Sequence, residues 1–429
     1  MSHFGVLSHS GMGHLNPLIA LSRKLTERGH RVTFFQKPQL ESLVCRQEIR
    51  FSSLGTNTDC SEKYRGSDGT KSSRSRVGTL CDSVRRIVGE MEISLRETPA
   101  AITQAGIDVL IIDEIILSGP TLAQILDIPY FVVSTSVPLN IGWSVSGRSS
   151  RHRYPASFFS WLENALLQVS ALRMQGPVRW RLDSYRRKIG LCPIREIEKV
   201  FPALAQITQL PQCMDFPRPR LPRNFYYTGP FVDEAARPPI QFPWRQLDGR
   251  PLVYASLGTA RAVKPAIFRF IAEACNELDL QLVISLGGRD DPAISDDLPR
   301  RPLVVKQAPQ LQLLKKADIV ITHSGLNTVL EALMEGKPIL AIPIAYDQPA
   351  VADRLAWLGV SEVLPMEGLR TKQIRMALER LLNNKSYRNA AVDLQARIRN
   401  ACGLTHAADL IEAALETIRF ATEPVPLVK

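Results

Sequence analysis

Cysteines are few in this sequence, and they form no recognisable pattern. There are seven of them among 429 residues, an odd number, and no two are spaced as a C-x-x-C pair. Disulfide frameworks normally use even sets at regular spacings, and structural zinc sites use closely spaced pairs. Neither kind of site is therefore predicted.

Long apolar runs are missing as well. No uninterrupted stretch approaches the ~20 apolar residues that cross a bilayer. The N-terminal segment MSHFGVLSHSGMGHLNP has no basic region or cleavage signature of an exported protein. We therefore expect a cytoplasmic protein.

The composition that remains is that of an ordinary globular protein, with 45% hydrophobic and 22% charged residues. At this length two domains of roughly 200 residues are expected. The formal net charge is +11, but no nucleic-acid-binding motif accompanies it, so no nucleic-acid partner is predicted.

Alternating strand and helix patterns predict two parallel α/β sheets. Residues 3–8 are typical of a strand, a glycine-rich turn follows, and a helix is predicted from Pro17. A second alternation starts at residue 252. Between them lies a proline-rich stretch, 211–239, without any helix-length pattern, and we place the domain boundary near its end. Asn16 replaces the third glycine of a dinucleotide-binding motif, which argues against an oxidoreductase.

The stretch 317–349 carries the strongest signal for a binding site. An apolar run stops at Thr322-His323-Ser324-Gly325, and a helical pattern follows immediately. The N-terminus of such a helix offers unpaired N–H groups and a positive dipole end, which favour a phosphate. Gly325 permits close approach of a ligand, and His323 can reach a diphosphate oxygen from the turn.

Further polar side chains are predicted at the same sheet edge. Glu331 lies about two helical turns after the start of the helix and can accept hydrogen bonds from sugar hydroxyls. A second apolar run ends in Asp347-Gln348. Ligands of open α/β sheets bind at this edge, so these residues predict a phosphate-bearing ligand there.

His14 is the candidate general base. It follows the glycine turn after the first strand, and an imidazole with a pKa near ~6.5 suits proton abstraction at neutral pH. Asp113, at the end of a neighbouring predicted strand, can accept a hydrogen bond from the other ring nitrogen. His9 is the competing base, and Glu114 is the alternative partner.

These motifs together resemble the donor-binding signature of family 1 UDP-sugar glycosyltransferases, inverting enzymes of the GT-B fold. The pattern is H-x-G-x-N-T-x-x-E, from His323 to Glu331, followed by D-Q at Asp347. Within the family, the segments VYASLGT, ITHSGLNTVLEA and AYDQP resemble those of bacterial zeaxanthin (carotenoid) glucosyltransferases most. The resemblance covers nearly the whole chain.

The resemblance implies an α/β, GT-B architecture, in which two doubly wound Rossmann-like domains face each other across a cleft. Residues 1–235 would form an N-terminal acceptor-binding domain and 236–400 a C-terminal UDP-sugar-binding domain. Residues 401–429 would form a helix that crosses back to the N-terminal domain.

The resemblance also implies roles for individual residues. The family places its catalytic histidine in G-H-x-x-P, which His14 matches and His9 does not. Gln307 stands where relatives often have a tryptophan that stacks on uracil, and Gln348 goes with glucose in the family. The implied donor-binding residues are Ser256, Gly258, Thr259, Gln307, Gln310, His323, Ser324, Gly325, Asn327, Thr328, Glu331, Asp347 and Gln348.

No metal site and no cofactor are predicted, because the UDP-sugar is the donor substrate and the helix beginning after Gly325 can meet the charge of the leaving group. D-x-D spacing, used by metal-dependent transferases, is absent. The predicted reaction is glucosyl transfer to a hydroxyl of a lipophilic small molecule, with a carotenoid such as zeaxanthin favoured. Flavonoid, macrolide or triterpenoid acceptors remain alternatives, as do a UDP-sugar epimerase and a non-catalytic nucleotide-sugar-binding module.

The segment 148–188 suggests a contact with an anionic membrane. It holds nine Lys/Arg residues against two acidic ones. An apolar stripe accompanies them, made by Phe158, Phe159, Trp161, Leu162, Leu166, Val169 and Leu172. Such a stripe can simply pack on its own domain, but aromatic residues beside clustered basic residues also bind anionic bilayers. We expect Arg186, Arg187 and Lys188 to contribute to that contact.

Overall fold

The computed structural model describes residues 1–55, 76–138, 176–218, 221–258, 263–289, 294 and 298–422. For 76–83 and 419–422 it describes the backbone alone.

Thirteen strands in the described ranges form two parallel sheets. The first sheet has seven strands in the order β3-β2-β1-β4-β5-β6-β7, and the second has six in the order β10-β9-β8-β11-β12-β13. The strands of the first sheet are β1 (His3–Leu7), β2 (Arg31–Gln36), β3 (Arg50–Ser53), β4 (Val109–Asp113), β5 (Tyr130–Ser134), β6 (Gln206–Thr208) and β7 (Phe225–Tyr227). Those of the second are β8 (Leu252–Ser256), β9 (Gln281–Ser285), β10 (Leu303–Val305), β11 (Ile319–Thr322), β12 (Ile339–Ala341) and β13 (Ser361–Val363).

Helices connect these strands and cover both faces of each sheet. In chain order they are α1 (Met12–Glu27), α2 (Glu41–Cys45), α3 (Arg76–Ala105), α4 (Gly119–Leu126), α5 (176–188), α6 (Ile197–Val200), α7 (Pro265–Glu277), α8 (Gln310–Lys316), α9 (Leu326–Met334), α10 (Gln348–Trp357), α11 (Thr371–Asn383), α12 (Lys385–Asn400) and α13 (Gly403–Thr422). No helix in the described ranges is both long enough and apolar enough to span a bilayer.

Each sheet has a point where its strand order reverses, and the candidate residues follow the strands on either side of it. In the first sheet β1 pairs with β2 on one side and with β4 on the other. In the second, β8 pairs with β9 and β11. Ligands of doubly wound sheets bind at the carboxyl ends of the strands that flank this point.

Helix α1 begins earlier than predicted. It starts at Met12, and Pro17 lies inside it rather than at its first residue. Proline has no N–H for the carbonyl four residues earlier, which is that of Gly13. That carbonyl oxygen instead accepts a hydrogen bond from Asn327 Nδ2, at 2.8 Å. His14 therefore lies on the first turn of a helix and not in a loop.

The C-terminal helix packs on the first sheet's half of the molecule. Buried residues of α13, among them Ala407 and Ile411, share a core with Leu18 and Leu21 of α1. A Cβ added at Gly403, where α13 starts, would lie 2.3 Å from the Pro230 carbonyl oxygen. We propose the division 1–235, 236–400 and 401–429 on this basis, since β7 ends at Tyr227 and β8 starts at Leu252.

The structure overturns the prediction that Arg186 faces a membrane. Its side chain is fully buried, and its guanidinium donates to Thr121 Oγ1, Gln124 Oε1 and the Cys192 carbonyl oxygen at 2.6–2.9 Å. Burying an arginine is tolerable only when its donors are satisfied in this way. Arg187 and Lys188 are exposed, and the stripe from Phe158 to Leu172 lies outside the described residues.

Candidate active site

His14 and Asp113 meet at the switch point of the first sheet. Asp113 is the last residue of β4 and is 1% exposed, and its Oδ2 lies 2.8 Å from His14 Nδ1. A carboxylate can only accept here, so Nδ1 carries the proton and Nε2 is the nitrogen that would take a proton from a substrate. The structure brings together the two residues predicted as base and partner.

Two further side chains, those of Thr135 and His9, contact His14. The Thr135 hydroxyl oxygen, just after β5, lies 2.7 Å from the same Nδ1 atom. The His9 ring packs edge-on against that of His14, with centroids 5.1 Å apart, and its own Nδ1 accepts the Gly11 N–H. Burial and the neighbouring His14 lower the pKa of His9. It is Asp113, and not the alternative Glu114, that contacts His14.

His323 follows β11 at the switch point of the second sheet and is enclosed by two glycines. A Cβ at Gly258 would lie 2.6 Å from its Nε2, and one at Gly325 would lie 2.7 Å from its Cε1. Gly258 also has a φ of +86°, which favours glycine. Burial lowers the pKa of His323 to about 4, against the opposing effects of Asp347 and the Ser256 backbone. Its imidazole is therefore neutral at pH 7.

Glu331 is buried on α9 and both of its carboxylate oxygens are engaged. Arg237 Nη2 donates to Oε1 at 2.5 Å and Gln310 Nε2 donates to Oε2 at 2.5 Å. Burial raises the pKa of Glu331, while Arg237 and Gln310 act against that rise. A ribose that is to bind Glu331 must share or displace these contacts.

Asp347 and Gln348 lie at the start of α10, beside the same space. The Gln348 carboxamide oxygen accepts the N–H groups of Ile344 and Ala345 at 2.9 and 2.8 Å. Its amide nitrogen is thus the atom that this side chain can offer to a sugar hydroxyl. Asp347 Oδ2 accepts a long hydrogen bond, 3.4 Å, from the Val137 N–H of the first half.

A cavity of about 1510 Å³ lies between the two sheets and unites these residues. It is lined by His14 and by most of the predicted donor-binding residues, namely Ser256, Gly258, Gln307, Gln310, His323, Gly325, Asn327, Thr328, Glu331, Asp347 and Gln348. Ser324 does not line it, because its left-handed backbone, with φ of +66°, turns the side chain into a fully buried position. Thr259 lies outside the described residues.

The part of the cavity beyond His14 is mainly apolar. Its lining includes Phe35, Leu54, Met91, Ile116, Leu117 and Val178. An ion pair between Lys37 and Glu90, at 3.0 Å, lies among them. Pockets for single drug-sized ligands measure about 300–1,000 Å³, so this cavity has room for a nucleotide sugar and a second molecule together.

Some residues that contact the predicted site residues were not themselves predicted from the sequence. They are Arg237 in the proline-rich connection, Thr135 beside His14, and Gln209, which donates to Asn327 Oδ1 at 2.8 Å. Thr135 lies in a short Ser-Thr-Ser stretch at the end of β5, and this stretch is a weak sequence signal for it. Arg237 and Gln209 have no local signal, because their partners lie 94 and 118 residues away in sequence.

Comparisons with known proteins identify the family and the fold. Residues 20–400 match the family described as UDP-glucoronosyl and UDP-glucosyl transferase. The zeaxanthin glucosyltransferase of Pantoea ananas is 30% identical, covering 97% of both chains. That of Pseudescherichia vulneris is 28% identical, covering 97% of this chain and 98% of its own. Among solved structures, the calicheamicin glycosyltransferase CalG4 superposes with a TM-score of 0.72 at 23% identity, covering 97% of this chain and 98% of its own. The predicted GT-B fold is confirmed.

Proposed function

The chain belongs to the family of UDP-glucuronosyl and UDP-glucosyl transferases, and from this premise we propose that it transfers glucose from UDP-glucose to a hydroxyl of a lipophilic small molecule. A carotenoid such as zeaxanthin is the favoured acceptor. The observation that carries the proposal is that His14, hydrogen-bonded to the buried Asp113, lines the same cavity as His323, Asn327 and Glu331.

The proposed reaction is a direct displacement at the anomeric carbon. His14 Nε2 removes the proton of the acceptor hydroxyl while its oxygen forms a bond to C1 of the sugar. The bond from C1 to the diphosphate oxygen breaks, and the configuration at C1 inverts. Asp113, 2.8 Å from Nδ1, stabilises the imidazolium that forms.

Charge on the departing diphosphate is met by the start of α9. The first N–H groups of that helix have no partner within it, and the dipole end is positive. Asn327 and Thr328 lie in its first turn, and the neutral His323 ring can donate one N–H. These preorganised dipoles support a reaction that needs no metal ion.

Binding of the nucleoside is assigned to Glu331, Gln310 and Gln307. Glu331 would accept from the ribose hydroxyls once Arg237 moves aside. Gln307 is exposed at the place where a tryptophan would stack on the base, which supports amide and backbone contacts to uracil. Gln348, through its amide nitrogen, and Asp347 would contact the glucose.

The acceptor is assigned to the apolar part of the cavity. The zeaxanthin glucosyltransferases of Pantoea ananas and Pseudescherichia vulneris are both similar along nearly the whole chain, which supports a carotenol. The apolar residues that line this part, among them Phe35, Met91 and Val178, suit a long hydrocarbon acceptor with a terminal hydroxyl. Flavonoid, macrolide and triterpenoid acceptors are the alternatives that an assay must separate.

We further propose a cytoplasmic protein that touches an anionic membrane through α5. Its residues Val178, Leu182 and Arg186 are buried at a spacing of four, whereas the opposite face is exposed. Trp180 on that face is 63% exposed, and Arg179, Arg187 and Lys188 are exposed on the same helix. An exposed tryptophan among basic residues suits the interface of an anionic bilayer.

The test is a transfer assay with UDP-glucose and a panel of carotenols, flavonoids, macrolides and triterpenoids, followed by mass spectrometry. We expect a hexose to be added to the carotenols, with full activity in EDTA. UDP-galactose and TDP-glucose, offered in parallel, measure selectivity for sugar and base. Isomerisation of the sugar nucleotide without transfer would identify an epimerase, and tight UDP binding without turnover would identify a binding module.

The His14→Ala variant tests the assignment of the base. We expect its turnover to fall by about 10²- to 10⁴-fold, the usual contribution of a general base, while UDP affinity stays near the wild-type value. His9→Ala serves for comparison. His9 fixes the Gly11 N–H and packs on His14, so we expect a smaller loss, and a larger loss in this variant would point to His9 instead.

A further inference from the structure

Gln209 connects the two halves of the molecule behind the cavity. It follows β6, is 1% exposed and does not line the cavity itself. Its Nε2 donates to the Thr135 carbonyl oxygen at 2.5 Å and to Asn327 Oδ1 at 2.8 Å. The amide group has two hydrogens, and both are used in these bonds.

These bonds belong to a closed circuit that begins and ends at His14. Asn327 Nδ2 donates to the carbonyl oxygen of Gly13, the residue before His14, at 2.8 Å. Thr135, whose carbonyl accepts from Gln209, approaches His14 Nδ1 with its hydroxyl at 2.7 Å. We call the ring formed by Gly13, His14, Thr135, Gln209 and Asn327 the bridging circuit.

Pro17 gives the bridging circuit its acceptor. A residue with an N–H at this position of α1 would donate to the Gly13 carbonyl oxygen within the helix, and proline cannot. The ring of a proline within a helix also crowds the carbonyl four residues earlier. The oxygen is thereby offered to Asn327, which lies on the first turn of α9 in the other half.

We propose that Gln209 is a positioning residue for glycosyl transfer, holding Asn327 and the start of α9 at a fixed distance from His14. The inference rests on the proposed function. Transfer requires the base and the diphosphate site to be aligned across the cavity, and a displacement of about 1 Å between reacting groups can cost 10²-fold in rate. Gln209 fixes that alignment through neighbours that line the cavity, without touching the substrates.

The first test replaces Gln209 with methionine, which keeps the length and removes both donors. We expect kcat for transfer to fall about 10- to 100-fold, with a larger effect on kcat than on the acceptor KM. Release of glucose to water should increase relative to transfer, because a misaligned acceptor leaves the donor to hydrolyse. Gln206→Met, on the strand that precedes Gln209 and outside the bridging circuit, is the matched control and should retain wild-type kcat.

The second test uses Pro17→Ala, which does not threaten folding because alanine is the better helix former. Its new N–H competes with Asn327 for the Gly13 carbonyl oxygen, so we expect kcat to fall several-fold while the melting temperature is unchanged or higher. If the bridging circuit only stabilised the fold, kcat would instead stay at the wild-type value or rise together with the melting temperature.

A double-mutant cycle decides between these readings. If Gln209 acts through Asn327, Gln209→Met should add little to the loss already caused by Asn327→Ala. Additive losses, or wild-type kcat in both Gln209→Met and Pro17→Ala, overturn the inference. Should Gln209→Met not fold, the cycle is run with Pro17→Ala and Asn327→Ala, with the same criterion. Failure of the proposed function is distinguishable, since the wild-type protein would then transfer no sugar at all.

Discussion

His323 shows how burial prepares a single side chain for an anionic ligand. With a pKa of about 4 in the folded protein and a reference value of 6.5, it is neutral above pH 6.5 in both folded and unfolded chains. As the pH falls from 6.5 to 4, the unfolded chain binds the proton more readily. The ring therefore lowers stability across that window, by up to about 3 kcal/mol at its acid end.

Binding of a diphosphate should reverse part of this effect. Two negative charges beside the ring favour its protonated form and raise its pKa. We therefore expect UDP-glucose binding at pH 5.5 to take up about 0.3–1 proton, measured by calorimetry in buffers of different ionisation enthalpy. UDP-glucose is preferable to UDP, whose terminal phosphate titrates near pH ~6. His323→Gln should lose this uptake, and equal uptake in both proteins would remove His323 from the diphosphate site.

Arg237 neutralises the buried carboxylate of Glu331 through an ion pair. Arg237→Met leaves the buried Glu331 carboxylate without its cation, and we expect the ligand-free protein to lose about 1–3 kcal/mol, since Arg237 is partly exposed. Without Arg237 the pKa of Glu331 rises further, so the loss should be larger at pH 8 than at pH 5, where the carboxyl can protonate. Thermal unfolding at both values measures this.

UDP should rescue that variant. Its ribose hydroxyls can donate to Glu331 in place of the guanidinium, so the increase in melting temperature on adding UDP should be greater in Arg237→Met than in the wild type. Arg245 is an exposed arginine of the same connection, and Arg245→Met should behave like the wild type. A smaller UDP effect in Arg237→Met would show that Arg237 itself binds the donor.

At the scale of elements, strands that are apolar runs could be predicted together with their polar ends, even where they are as short as β10 and β12, and strands without such a run could not. The strand ends carrying Asp113 and His323 were predicted within a residue or so, because buried parallel strands are continuous apolar runs. Strands β6, β7 and β13, also of three residues, form through pairing with neighbours in the sheet and carry no local pattern of their own.

Helix α1 shows why a boundary can be missed. Proline is favoured in the first turn of a helix, so Pro17 indicated a start, whereas the helix starts at Met12. Because Pro17 has no N–H, the Gly13 carbonyl oxygen has no donor within the helix. It accepts instead from Asn327, which lies 314 residues after Gly13. Arg186 is a similar case, because a count of charges cannot reveal that Thr121 and Gln124 surround its guanidinium.

The junction of α13 with the rest of the chain depends on Gly403. Any side chain there would meet the Pro230 carbonyl oxygen at 2.3 Å and that of Gly229 at 2.5 Å. Both are backbone atoms that cannot move aside independently, so we expect Gly403→Ala to cost about 1–3 kcal/mol. Chemical denaturation measures the change. Gly176→Ala, where a Cβ meets nothing within 4 Å, is the control, and equal stability of the two variants would contradict the close contact.

In the whole molecule, a buried ion pair joins the two halves at a distance from the cavity. Asp215, between β6 and β7, accepts from Arg354 of α10 at 2.7 Å, and both side chains are 1% exposed. Burial alone would raise the pKa of Asp215, but Arg354 and Arg218 hold it below its ordinary value. Among the described residues, this ion pair is thus a polar connection between the halves that is separate from the bridging circuit, whose members include residues that line the cavity.

The distribution of charge leads to the prediction for the whole molecule. Arg179, Arg187 and Lys188 lie on the exposed face of α5 with Trp180, and each basic residue near an anionic bilayer contributes about 1 kcal/mol. We expect the protein to float with anionic vesicles at low salt, to be released at high salt, and to ignore neutral vesicles. Replacing the three basic residues with glutamine and Trp180 with serine should abolish flotation without changing UDP binding.

The control for that experiment removes the same charge from the other half. Lys385, Arg388 and Arg397 on α12 are exposed, and their replacement by glutamine lowers the net charge equally. Retained flotation in this variant, with loss in the α5 variant, assigns the contact to one surface. Arg186 must be left intact. Its removal would leave the acceptors on Thr121, Gln124 and Cys192 without this donor, and a loss of binding could then not be told from unfolding. If both variants float equally, net charge alone attracts the protein, and α5 is not a membrane-binding surface.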